Sequence, residues 1–296
     1  MNSSVASFDN TIAEFCLMDD DFMTKVFENN IPCTELLLQI ILQDDTIKVK
    51  KAVTQTLYKN LQGHDLTLDI LAEKQDGTLF NVEVQNQNKG AMPKRARYHA
   101  SILDANHLPE GKYFDELPDT TVIFITKNDI LSKGLPIYHI QRTILENGDA
   151  FYDGSQIIYV NNKIKDNTPL GRLMHDFGCK NPNDMHYDIL AKRIAYFKET
   201  MKGRDKMSEV MERYVEARAR EITAGMADKL KKEVTQQVTQ QVTQQVTQQV
   251  TQQVAHAKSV EFAEGLLADG MNIEFVARHA RLPVEEVRKL LEKRTA

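Results

Sequence analysis

Three cysteines in 296 residues, no tryptophan and no long apolar run set the first limits. Cys16, Cys33 and Cys179 are odd in number and far apart. That spacing excludes a disulfide framework and a paired-cysteine zinc site, so free thiols in a reducing cytosol are expected. A basic excess is also missing. The chain has 37 Lys and Arg against 42 Asp and Glu, a net charge of −5. Such a chain does not coat nucleic acid nonspecifically. A local basic groove remains compatible, because affinity follows the phosphates contacted. The longest apolar stretch, Leu36 to Leu42, contains Gln39. It falls far short of the roughly 20 residues that cross a bilayer, so no membrane partner is expected. The start, MNSSVASFDN, has neither basic residues nor an apolar run. No signal peptide is therefore expected, and a cytoplasmic protein is.

What is present centres on Asp65 to Asn86, DLTLDILAEKQDGTLFNVEVQN. Leu66, Leu68, Ile70 and Ala72 alternate with Thr67, Asp69 and Leu71, and Phe80, Val82 and Val84 with Asn81, Glu83 and Gln85. Alternation of this kind predicts two strands with one face in the core. Gln75-Asp76-Gly77 suits a three-residue loop closed by a glycine. That loop sets Asp69 opposite Glu83, with Cβ atoms about 4.5–5.5 Å apart, and Thr67 opposite Gln85. Directly opposed carboxylates repel, and a bound cation removes the penalty. Mg²⁺ uses one or two carboxylates and borrows phosphate oxygens, which suits phosphoryl chemistry. Spacing alone leaves open a solvated sheet face with incidental acids.

With thirteen residues between its acids, the segment resembles the D-x(n)-E-x-K signature of PD-(D/E)XK nucleases. GHDLTLDILA, NVEVQNQ, PKRARYHASILDA, TVIFITKND, LPIYHI, DGSQIIYVNN and GRLMHDFGCKNPNDMHYDILAKRIAYFKET narrow the match. Together they resemble the Rpn-type recombination-promoting nucleases, also called PD-(D/E)XK family transposases, over Asp19 to Gly203. The resemblance implies a bacterial DNA endonuclease using Mg²⁺ or another divalent cation. Asp69 and Glu83 would be metal ligands, and Asp69, Glu83 and Gln85 the catalytic set. Gln85 stands where most members of the superfamily carry Lys. It supplies no positive charge, although its amide can orient water or phosphate. The first core helix often adds an acid; Asp21 fits the recurrent Asp-Phe start, and Glu35 is a second candidate. The rival reading is a non-catalytic DNA-binding or scaffold protein retaining the fold.

The remaining chain supports an α/β class with a mixed sheet, followed by a helical tail and a small helical unit. Asp19 to Asn29 reads as a helix, Pro32 as a break and Thr34 as the cap of a second helix. Thr46 to Gln55 reads as a strand whose Lys48, Lys50 and Lys51 either touch DNA or keep an edge soluble. Met92 to Ala105 reads as a helix. Lys94, Arg95 and Arg97 in its first turns are unfavourable against the helix dipole, so a phosphate is their expected partner. His99 is expected to be a partly buried helix residue. Thr121 to Thr126 reads as a central strand, Tyr138 to Leu145 and Gln156 to Val160 as two more. Thr168 caps a helix over Leu170 to Phe177, and Asp184 to Met201 forms a longer one. The expected domains are 1–203 for the nuclease-like part, 204–257 for a helical linker and 258–296 for a helix-turn-helix-like unit. Five VTQQ repeats, Val234 to Gln253, rotate their valines about 40° per repeat around an α-helix. This disfavours a strict heptad coiled coil. The Met207, Met211, Tyr214, Ile222, Met226 and Leu230 stripe calls for partner helices, hence a homo-oligomer formed through the tail. Arg278, Arg281, Arg288 and Lys289 would be the basic residues of the last unit, although Glu285 and Glu286 oppose a DNA-reading role.

Overall fold

A computed structural model describes residues 11–60 and 63–295. Residues 1–18, which read from the sequence as a loose leader with a short helix, fall partly outside them. The chain divides into two compact units, Met1–Ala217 and Arg218–Ala296.

In the first unit a six-stranded sheet runs β1 (Val49–Tyr58), β2 (Leu66–Lys74), β3 (Leu79–Gln85), β4 (Thr120–Thr126), β6 (Ser155–Asn161) and β5 (Ile137–Ile140) across its width. β1–β2 and β2–β3 are antiparallel, while β3, β4 and β6 run parallel. Parallel neighbours need a crossover. For β3 to β4 it is α3 (Pro93–His107). One layer of the core comprises α1 (Asp20–Phe27), α2 (Ile31–Leu42), α4 (Pro169–Gly178) and α5 (Asp188–Glu199). It buries Phe22, Phe27, Leu37, Phe177 and Phe197 against Ile70, Val82 and Ile123. The second layer is α3, whose Ala96, Ala100 and Leu103 pack with Val122 and Phe124. Every residue of β4 is buried, as the apolar run TTVIFIT requires of a strand covered on both faces.

Several local expectations are corrected. Asn30, not Thr34, caps α2 by accepting the Cys33 N–H, and Pro32 lies in the first turn, where its missing N–H costs nothing. β1 begins at Val49 and continues to Tyr58 through pairing with β2. The strand expected over Tyr138 to Leu145 stops at Ile140, beyond which only the bridge Thr143↔Ala150 remains. The helix expected to reach Met201 ends at Glu199, and α6 (Met201–Ala268) starts anew. At that junction a Cβ on Gly203 would lie 2.0 Å from the Tyr196 carbonyl oxygen, so only glycine permits the approach. Met207 and Val210 of α6 are fully buried in the core of the first unit.

In the second unit, α6 carries the VTQQ repeats as continuous helix. Val234, Val238, Val242, Val246, Val250 and Val254 are each about half exposed, within 48–51 %. Ile222, Met226 and Leu230 are exposed as well, and the side chains of Met211 and Tyr214 are not among those described. Past the repeats, Ala263 and Leu267 pack with α7 (Ile273–Ala280) and α8 (Val284–Thr295) through Val276, Ala280, Leu282 and Val287. No described helix is long and apolar enough to cross a membrane.

Candidate active site

The hairpin is regular at its turn and irregular at its open end. Lys74 N–H donates to Thr78 O at 2.9 Å, and Gly77 closes the loop in the left-handed region at φ +92°. The ladder runs Glu73↔Leu79, Ala72↔Phe80, Leu71↔Asn81 and Ile70↔Val82. This register, extended one step, sets Asp69 beside Glu83. Backbone pairing has ended by then, so Thr67 and Gln85 do not pair as expected; Gln85 instead lies beside Thr126 of β4.

Asp69 also marks a change of face. Ile70 and Ala72 pack in the α1–α2 layer, but Leu66 and Leu68 pack in the α3 layer, so the four do not form the single face that their spacing suggests. On the neighbouring strand, Gln55 stands opposite, at φ +53°, where the β1–β2 ladder skips from Thr54↔Ile70 to Thr56↔Leu68. A left-handed backbone costs a residue with a side chain roughly 1–2 kcal/mol. The Gln55 amide donates to Thr24 Oγ1 of α1 at 3.1 Å, which holds the strand there.

Carboxylates replace the missing ladder bonds. Glu83 Oε1 accepts the Asp69 N–H at 3.1 Å, and Asp69 Oδ2 accepts the Val84 N–H at 3.0 Å. Asp69 is 7 % exposed and Glu83 fully buried, so the solvated-face alternative does not apply. The Asn81 amide donates to Glu83 Oε1 at 2.7 Å. Asn81 Oδ1 lies 2.8 Å from His99 Nδ1, and Arg95 Nε donates to His99 Nε2 at 3.3 Å. An Nε2 that accepts leaves the proton on Nδ1, which completes a chain Arg95→His99→Asn81→Glu83. Glu83 Oε2 is left buried without a hydrogen-bond partner, 4.0 Å from an Arg95 terminal nitrogen.

The electrostatics follow from that geometry. Burial pushes the Asp69 carboxyl well up, with the charges of Glu83 and Asp20 adding to it. Burial also raises Glu83, against the hydrogen bonds from Asn81 and the Asp69 N–H. His99 is fully buried on a ring contact with Phe124, 5.4 Å between centroids, rather than partly buried as expected. Desolvation and then the Arg95 charge lower it to about 4, so it is neutral at pH 7.

Sequence reasoning missed three residues here. Asn81 and His99 looked like an alternation position and a helix filler. The third is Asp20, which lines a 450 Å³ cleft with Val84, Gln85, Gly90 and Arg95. Desolvation and the charge of Asp21 raise it. Asp21 turns away, 3.6 Å from Arg213. Helical phase explains the exchange. α1 buries Phe22, Met23, Val26 and Phe27. At about 100° per residue Asp21 falls opposite that face, while Asp20 flanks it, three and seven residues before Met23 and Phe27. Glu35 is also elsewhere, paired with Lys48 at 2.8 Å and accepting the Val49 N–H. Of the expected basic cluster only Arg95 enters the cleft; Lys94 and Arg97 are exposed on α3. Lys50 is paired with Glu73 at 2.9 Å.

The model of a family described as PD-(D/E)XK nuclease family transposase matches residues 25–168. Over those residues the chain is similar to that family. No curated protein and no solved structure matches the chain. The match supports a nuclease role associated with transposition and DNA as substrate, and PD-(D/E)XK nucleases generally use divalent metal ions. It covers Asp69, Glu83, Gln85 and Arg95; Asp20 precedes it. The donors present suit a hard cation. They are carboxylate oxygens, one of them buried without a hydrogen bond, and such an oxygen is costly unless something satisfies it.

Proposed function

We propose that the protein is a divalent-cation-dependent DNA endonuclease acting in recombination or transposition, with Asp20, Asp69 and Glu83 holding the cation. The observation that carries this reading is Glu83 Oε2, without a hydrogen-bond partner in a buried, raised-pKa carboxylate pair. A Mg²⁺-like ion there offsets charge on a phosphoryl transition state and lowers the pKa of water. The chain does the rest by positioning. Asn81 and the Asp69 N–H fix one oxygen of Glu83 and leave the other without a hydrogen-bond partner. Arg95 contributes the positive charge that Gln85, in the Lys position, lacks. The Gln85 amide orients water or phosphate at the cleft rim. Neutral His99 holds Asn81 and Arg95 in register, a positioning role rather than that of a general base.

Supercoiled plasmid incubated with the protein and Mg²⁺ or Mn²⁺ should be nicked, and EDTA should abolish nicking. Intact plasmid in every divalent cation would remove the enzyme assignment in favour of a DNA-binding or scaffold protein. For the tail we infer self-association, because the repeat valines are half exposed from Val234 to Val254. The unit that should retain cleavage is 1–217 rather than 1–203, since Met207 and Val210 belong to the nuclease core. Light scattering should show the full chain as a dimer or larger and the 1–217 chain shifted toward monomer.

A further inference from the structure

The basic residues that sequence reasoning assigned to DNA are mostly spent or remote. Lys48 and Lys50, like Lys74 and Lys112, lie 2.6–2.9 Å from a carboxylate. A different set of lysines is gathered by topology. β3, β4 and β6 are parallel and in register, Gln85↔Thr126↔Asn161, so all three end on one edge of the sheet. The next residues, Asn86, Lys127, Asn162 and Lys163, line a groove of 660 Å³ together with Lys165 and Lys180. Asn86 also lines the cleft that holds Gln85 and Arg95, so groove and cleft adjoin at that residue. Ligands of open parallel sheets bind outside the carboxyl ends of the strands.

Charge and polarity mark this groove as unfinished. Among the described residues Lys127, Lys163 and Lys165 have no ion-pair partner; Lys180 is paired with Glu14. Glycine at 178 leaves space for Lys165, whose Nζ would be 2.6 Å from a Cβ placed there. Asn162 is 6 % exposed, and its Oδ1 is buried with no hydrogen-bond partner. Asp19 is the remaining acid in the wall, and its carboxylate is turned to the Cys16 N–H at 2.9 Å. Three uncompensated lysines in one concave site, in a chain of net charge −5, call for a polyanion.

We propose that this groove carries the sugar–phosphate backbone of the DNA strand leading away from the scissile position, with Lys127, Lys163 and Lys165 on successive phosphates. The proposal rests on the nuclease reading and deepens it. A lysine is a point charge on a flexible stem, suited to a backbone that must be held without reading its bases.

The test uses the full-length chain carrying Asp69→Asn, so that DNA is not cut, and a fluorescein-labelled duplex followed by anisotropy across a salt series. Adding Lys163→Glu and Lys165→Glu should weaken binding at least tenfold at 100 mM salt. The slope of log K against log salt should fall by about 2, roughly 0.9 for each phosphate that is no longer neutralised. Lys74→Glu with Lys112→Glu makes the same charge change at the opposite edge of the sheet and should change binding less than threefold. Cation titration of the Lys163→Glu/Lys165→Glu chain with Asp69 intact should match wild type, showing that the carboxylate site is unaltered. If both double variants weaken binding equally, or the groove variant does not weaken it, the groove assignment falls while the nuclease reading stands on plasmid cleavage. If wild type neither binds nor cuts DNA, both fall together. Tighter binding of the matched RNA duplex would overturn the choice of DNA.

Discussion

The two ends of one hairpin differ in how their hydrogen bonds are made. At the turn, backbone pairs with backbone, Gly77 supplies the left-handed residue, and Thr78 and Asp76 close the loop with a 2.7 Å side-chain bond. At the open end, the Asp69 and Val84 N–H groups reach carboxylates instead of carbonyls. Backbone amides there hold two acids in place, in a region that burial alone would disfavour. The turn end is built for register. The open end gives up regular pairing and leaves Glu83 Oε2 without a hydrogen bond. Departures from the ladder, rather than the ladder itself, mark the candidate site.

The largest expected effect comes from Asp69→Asn. On the proposed reading Asp69 is a metal ligand, and its loss should forfeit several kcal/mol of transition-state stabilisation, roughly a thousandfold or more in cleavage rate. The amide oxygen can still accept the Val84 N–H. Removing one of two repelling buried charges should therefore raise the metal-free Tm, by about 2–4 °C for each kcal/mol gained. Cleavage at wild-type rate by both Asp69→Asn and Glu83→Gln would place the chemistry elsewhere.

The comparison sharpens with pH. Asp69 and Glu83 titrate higher folded than unfolded, so the metal-free fold binds more protons than the unfolded chain once pH exceeds about 4, the ordinary carboxylate range. Stability from these two groups must fall as pH rises through that window. His99, lowered to about 4, has the opposite sign, and its contribution is lost as pH falls from about 6.5 toward 4. The stability gain of Asp69→Asn over wild type, measured without metal, should thus grow with pH above about 4. A gain that shrinks with rising pH would contradict a repelling pair. If a cation binds this pair as proposed, it displaces those protons, and calorimetry in buffers of different ionisation enthalpy should register their release.

Gly77→Ala tests the other end. No heavy atom lies within 4 Å of the added Cβ, so the cost is backbone strain alone, about 1 kcal/mol of stability. Cleavage should be unchanged below the melting transition; a lost rate would couple the turn to the site. The smallest effect is expected from Gly90→Ala. A Cβ there would meet Gln85 Oε1 at 1.9 Å, and this flexible amide end moves aside cheaply. Stability should stay within about 0.5 kcal/mol, while cleavage drops a few-fold. No change in rate would remove Gln85 from the reaction.

Much of the site is legible in the chain itself. Gly77 and the loop length set the register that brings Asp69 beside Glu83, because a hairpin's pairing is counted from its turn. The apolar run TVIFIT reads as a central strand, and β4 is one, beginning a residue earlier at Thr120. Asp20 is not legible in the same way. A cluster of three acids, Asp19 to Asp21, offers several helical phases, and the core picks one only when Phe22, Met23, Val26 and Phe27 are packed. His99 and Asn81 are invisible in the sequence because their roles exist only across elements, α3 to β3.

The hairpin, the acids it brings together and the repeat that runs through the tail helix all follow from local sequence alone. They are set by periodicity of 2 or about 3.6 and by one turn. Packing at long range decides the face change at Asp69, the choice of Asp20 over Asp21 and the buried chain from Arg95 to Glu83. It also gathers the groove lysines, which lie up to 53 residues apart between Lys127 and Lys180. Sheet order and the stacking of two helical layers produce these neighbours, and neither is a property of any short stretch of chain.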